Sequence, residues 1–244
     1  MKVAPNVIFL FKDIDGFAAA ISDALHPNPN SSIRRLEEGP FELSLDRYGI
    51  KDRKACGNLV HFVDSNGNYQ VSVLLVEMCV PPTLLCAVNE VLTQIIGEAL
   101  SDLPTIIVPF LATPSKLKWD RNTLMVDGTK FSGLYSLDIG PETDITRAIA
   151  SRTQKLPSTL QIHYEPLACI LQLVRTLNLP TSVLTGKSGL RLSDRASGEE
   201  LEILCKIGEL LANTAYLSFE RERIKWNPSK TSKESQEPWR ALYG

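Results

Sequence analysis

Two acidic residues at the end of an apolar run are the first feature of this chain that could do chemistry. Asn6-Val7-Ile8-Phe9-Leu10-Phe11 is followed at once by Lys12-Asp13-Ile14-Asp15-Gly16. An aspartate at a strand end can attack phosphorus. A second, two residues on, can serve as acid and base, with magnesium held between the two. The same residues also fit a helix-capping turn, because short acidic side chains accept hydrogen bonds from the free N–H groups of a helix start. Thr185-Gly186-Lys187-Ser188-Gly189 has the end of a phosphate-binding loop. The full motif needs a glycine where Thr181 stands, and Leu190-Arg191-Leu192-Ser193-Asp194 does not open a helix, so the segment reads as a turn. The histidines are His26, His61 and His163. None stands with a serine or cysteine nucleophile at a recognisable motif, and Gly-x-Ser-x-Gly does not occur. A triad assembled only by folding stays open.

The Asp13/Asp15 pair resembles the nucleophile motif of haloacid-dehalogenase-type phosphatases. That resemblance implies a magnesium-dependent phosphohydrolase, but Phe17 stands where the family has Thr or Val, and no late Asp-Asp pair follows. The five cysteines, Cys56, Cys79, Cys86, Cys169 and Cys205, form no Cys-x-x-Cys pair. They read as small buried hydrophobes in a reducing compartment, with no metal site and no cofactor expected.

The formal net charge is -2. The strong basic excess of a nucleic-acid or membrane-surface binder is missing. The run Val7–Phe11 stops after five residues, too short for a signal-peptide core or a membrane span. A soluble, cytoplasmic chain of 244 residues, long enough to bury a sizeable core, is expected.

The elements that must position these residues read as α/β. Asn6–Phe11 and Thr105–Phe110 are strands buried on both faces. Phe17–Leu25 reads as a short helix, and 26–32 as a loop. Phe41–Leu45 alternates as a strand. Leu59–Val63 and Tyr69–Val76 are joined across Asn66-Gly67 as a hairpin. Thr83–Ala99 is an amphipathic helix, Lys116–Gly133 a loop or hairpin, and Glu142–Arg152 a helix. Glu165–Leu177 is a second amphipathic helix, Thr181–Thr185 a strand, Gly186–Ser197 a loop and Gly198–Phe219 the last helix. The order predicts a mostly parallel sheet with helices on both faces, plus an antiparallel hairpin. Residues 1–219 read as one domain, and 220–244 as a disordered polar tail. Trp239, Leu242 and Tyr243 make an apolar tip at its end.

Two features together carry a family resemblance. The first is the layout of Val71–Phe110, strand–helix–strand, and of Pro166–Leu211, in which Leu-Asn-Leu-Pro-Thr-Ser-Val-Leu-Thr (177 to 185) lies between two helices. The second is the tip Leu242-Tyr243-Gly244, of hydrophobic-Tyr-any form. The chain resembles the proteasome assembly chaperones of the subunit one and two type, subunit one more. The resemblance implies a non-enzymatic chaperone that pairs with a second such subunit and holds the 20S proteasome α-ring, in cytoplasm and nucleus. The tip, with Trp239, would dock between ring subunits, Tyr243 offering a flat apolar body and a hydroxyl and Leu242 filling an apolar niche.

Overall fold

The central strand is set by its own alternation. In β1 (Asn6–Lys12), Val7, Phe9 and Phe11 point to one face and Ile8 and Leu10 to the other, and all five are buried. Such a strand needs helices on both sides. The computed structural model describes residues 1–97, 103–113, 116–118, 133–157, 159–187 and 195–224.

After β1 the chain forms helix α1 (Phe17–Ala24), a short β2 (Leu25–Pro27), the long β3 (Arg34–Leu45), β4 (Ile50–Val63) and β5 (Tyr69–Glu77). Helix α2 (Thr83–Gly97) leads to β6 (Thr105–Ala112) and the two-residue β7 (Leu117–Lys118). Then come β8 (Leu134–Ile139), helix α3 (Asp144–Ala150), β9 (Gln154–Lys155), β10 (Gln161–Ile162) and helix α4 (Glu165–Thr176). Strand β11 (Thr181–Lys187), helix α5 (Arg195–Thr214) and β12 (Leu217–Phe219) complete the described strands and α-helices. The main sheet has eight strands in the order β3-β4-β5-β1-β6-β11-β8-β9. Its centre, β5-β1-β6-β11, is parallel, and β3-β4-β5 and β11-β8 are antiparallel. Helices α2 and α4 cover the face bearing Phe9, and α1, α3 and α5 cover the face bearing Ile8. The mostly parallel mixed sheet with helices on both faces is thus present. So is the hairpin, whose turn closes with Asp64 N–H donating to the Asn68 carbonyl and Gly67 at φ 82.

Several boundaries differ from the sequence reading. Leu25, His26 and Pro27 are not helix end and loop but β2, paired with β12. Proline is tolerated there because each of these strands has a single partner. The last helix stops at Thr214 rather than Phe219: Tyr216 takes φ 57, which breaks the helix and turns the chain into β12. Strands β3 and β4 are longer than expected, with a register shift between Glu37 and Gly39 that blurs the alternation. Strand β8, unassigned from the sequence, is held by antiparallel pairing to β11. Thr185-Gly186-Lys187 is strand rather than turn, because β6 and β8 both pair with it. Among the described residues, no helix is long and apolar enough to cross a membrane.

The β12 strap depends on a glycine in α5. A Cβ on Gly208 would run into the Phe219 ring. Gly208→Ala should therefore lower stability by about 1–3 kcal/mol through overpacking, although alanine favours a helix interior by about 1 kcal/mol. Thermal denaturation decides the sign, and a stabilised variant would show that β12 does not seat on α5 as described.

Candidate functional site

Three segments meet where β1 and β6 end. The turn after β1 carries Asp13 and Asp15, with Ile14 between them turned out to solvent, 86% exposed. The segment after β6 brings Lys116, and the residue before α4 is Tyr164. The Lys116 ammonium lies 3.1 Å from Asp15 Oδ2 and 3.6 Å from Asp13 Oδ2, and 4.9 Å from the centre of the Tyr164 ring. Its carbonyl accepts the N–H of His163 at 2.9 Å and of Tyr164 at 3.1 Å. One residue thus joins β1, β6 and the start of α4 through both its main chain and its side chain.

The electrostatics follow from burial. Asp13 is about nine-tenths buried and Lys116 only slightly less, while Asp15 is about half exposed. Burial raises the Asp13 carboxyl above its ordinary value of 3.8, and Lys116 and the Ala18 N–H, 3.4 Å from Oδ1, pull it back down. The Tyr164 hydroxyl is pushed well up, first by burial and then by the two carboxylates. It stays a protonated phenol at neutral pH.

The enclosed space here, between Phe11, Phe17, Phe110, Lys116, Tyr164 and Leu167, is about 10 Å³. That is room for about one water molecule. The carboxylates converge as a catalytic pair would, but an ammonium group fills the position between them. The capping reading of Asp13 is also present, in the bond from Ala18. Among the described residues, no three His, Cys, Asp or Glu side chains gather as a metal site would require.

The other candidates lie apart from this cluster. Gly186 is buried against Ile203 of α5, with no room beside it for a phosphate. Residues 188–194 lie outside the described residues. His26 sits in β2 with Nε2 2.8 Å from the Asp23 carbonyl, and His163 is exposed before α4. His61 is buried in β4. Ser72 Oγ accepts the Ala4 N–H at 2.8 Å and is hydrogen-bonded to His61 Nδ1 at 2.7 Å, and the imidazole stacks on Tyr69. These are contacts that hold the fold. The cysteines are free thiols. Only Cys205 is buried, and the other four are half-buried: Cys56 lies within β4, Cys79 follows β5, and Cys86 and Cys169 lie in α2 and α4. Burial raises Cys56, Cys79, Cys169 and Cys205 above the ordinary thiol range, which works against a nucleophilic role. Trp239, Leu242, Tyr243 and Gly244 lie outside the described residues. Sequence reasoning flagged Asp13 and Asp15 but missed Lys116 and Tyr164. The cation above an aromatic ring is a contact that no local spacing announces.

The family model for "Domain of unknown function (DUF7894)" matches residues 1–244. The chain belongs to the DUF7894 family. No curated protein matches this member of it. Solved structures similar to this DUF7894 chain include proteasome-assembly chaperone homologues. A PAC2 family protein from Streptomyces avermitilis MA is 8% identical, with a TM-score of 0.50, over 98% of this chain and 99% of that one. PbaA of Pyrococcus furiosus, an archaeal homolog of proteasome-assembly chaperone, is 13% identical with a TM-score of 0.43, over 100% and 94%. An MTA/SAH nucleosidase is 10% identical with a TM-score of 0.43, over 94% and 99%. The first of these likenesses speaks to the fold.

The cluster makes a testable electrostatic prediction. The folded-state value of Asp13 lies above that of the unfolded chain. Its stabilising contribution is therefore full below the unfolded value and declines as pH rises through the folded one. A carboxyl-carbon NMR titration should place the Asp13 midpoint above 3.8. Lys116→Met should raise it further, since Asp15 then acts unopposed. The same variant should lose about 3 kcal/mol at pH 7, the low end for a broken buried pair because Asp15 keeps part of its hydration. An Asp13 midpoint at or below 3.8 would contradict the described burial.

Proposed function

We propose that this chain is a non-enzymatic assembly chaperone of the 20S proteasome α-ring, working beside a second, related subunit in the cytoplasm and nucleus. The observation that carries the reading is the likeness of fold to the PAC2 family protein. It agrees with the resemblance of the 177–185 segment and the tip to proteasome assembly chaperones. The segment follows α4 and runs into strand β11, the helix-then-strand placement that this resemblance implies. Leu242, Tyr243 and Gly244, with Trp239, are the proposed ring-docking residues. Joining the tip to the folded domain would let two modest contacts act as one strong one.

The filled strand end supports the non-enzymatic reading. A magnesium-dependent phosphohydrolase on Asp13 and Asp15 needs the space between the carboxylates for the metal and the phosphate ester. Lys116 holds that space, and the cavity beside it is about 10 Å³. The enzyme reading predicts magnesium-dependent phosphate release that vanishes in Asp13→Asn, and the chaperone reading predicts none from either protein.

The direct test is binding. Deletion of residues 242–244 should weaken association with purified α-ring subunits by roughly tenfold or more, and Tyr243→Ala should account for most of that loss, as a buried aromatic anchor does. The circular-dichroism spectrum should be unchanged. Undiminished binding in the deletion would remove the tip from the proposal.

A further inference from the structure

The spacing along α4 builds one wall of a groove. Ala168, Leu171, Gln172 and Arg175 fall at i, i+3, i+4 and i+7, a single helical stripe. Leu171 is buried at its base, while Ala168, Gln172 and Arg175 are exposed. The facing wall comes from Leu137 of β8, the segment after β9 at Leu156 and Leu160, and Ile162 of β10. The space between is about 1060 Å³, the size of sites that take up a ligand or peptide side chains.

Two further features narrow the occupant. The first is charge. Lys155 and Arg175 stand in the lining, and neither makes an ion pair among the described residues. Lys155 favours the ionised form of Asp138. The second is main chain. Among the described residues, strand β9 is the last in the sheet and pairs only with β8. Leu156 N–H donates to the Ser136 carbonyl at 2.9 Å. Parallel pairing with that bond turns the N–H and C=O of Lys155 away from β8, toward the open side.

We propose that this groove docks an extended peptide segment of a partner protein in which apolar and acidic residues alternate. The segment adds a strand beside β9 through Lys155, seats its apolar side chains on Leu156, Leu160 and Leu171, and brings its carboxylates to Lys155 and Arg175. The proposal is independent of the α-ring reading and of the tip.

The probe is a fluorescein-labelled, end-capped Leu-Glu-Leu-Glu-Leu-Glu peptide, titrated with the full chain and followed by anisotropy. Binding should saturate, weaken as salt rises, and fail for the lysine counterpart of the probe. Arg175→Glu, an exposed charge reversal, should weaken it by roughly tenfold or more. Ala168→Trp, which fills the groove from the exposed helix surface, should do the same. Hydrogen exchange should find the Lys155 amide unprotected in the free chain and protected by the peptide. Four results would overturn the proposal. They are absence of saturable binding, equal binding in both variants, a Lys155 amide already protected in the free chain, and uptake of laurate without uptake of the peptide.

Discussion

The carboxyl end of the sheet is organised around a single buried ammonium group. Two aspartates lie in the turn after β1, and Asp13 is largely withdrawn from water. A buried carboxylate requires a partner, because solvation lost to burial is returned only by an opposite charge or by hydrogen bonds. Lys116, 101 residues from Asp15, supplies the charge. It also fixes the entry to α4 with its carbonyl. The position of β1 between β5 and β6 is what brings these groups within reach. The same interaction lies at the carboxyl ends of the parallel strands, the place where a doubly wound sheet ordinarily binds a ligand.

Much of the fold was legible in the sequence because burial on both faces leaves a strong mark. Strands β1 and β6 are unbroken apolar runs, and α2 and α4 carry clean helical stripes. What failed was short or held by distant partners. Strands β2 and β12 exist because each meets the other across the whole chain. Strand β8 carries an alternation of Leu134, Ser136 and Asp138 against Tyr135, Leu137 and Ile139, which could have announced it. That signal is weak because both of its sides carry apolar residues. At the site, Asp13 and Asp15 were visible from their place after β1. Lys116 and Tyr164 were not, because only the tertiary fold makes a lysine after β6 the counter-ion of a turn after β1.

The proposed chaperone role places function in contacts: a tip for ring subunits, and a groove beside β9 for an acidic segment. The groove and the filled end lie in one α/β scaffold. β11 and α4 link them, and α4 begins at the Lys116 cluster and ends with Arg175 on the groove. Lys116 contacts the entry to α4 through its carbonyl and its ammonium group, while Ala168, Gln172 and Arg175 of the same helix are exposed.

The central claim is that this chain works by binding proteasome α-ring subunits. Affinity purification of the tagged full-length chain from its own cells, with quantitative mass spectrometry, tests it most directly. The account predicts α-ring subunits, together with a second chaperone subunit, enriched far above an untagged control. A purification that returns the chain with no proteasome subunit would contradict it.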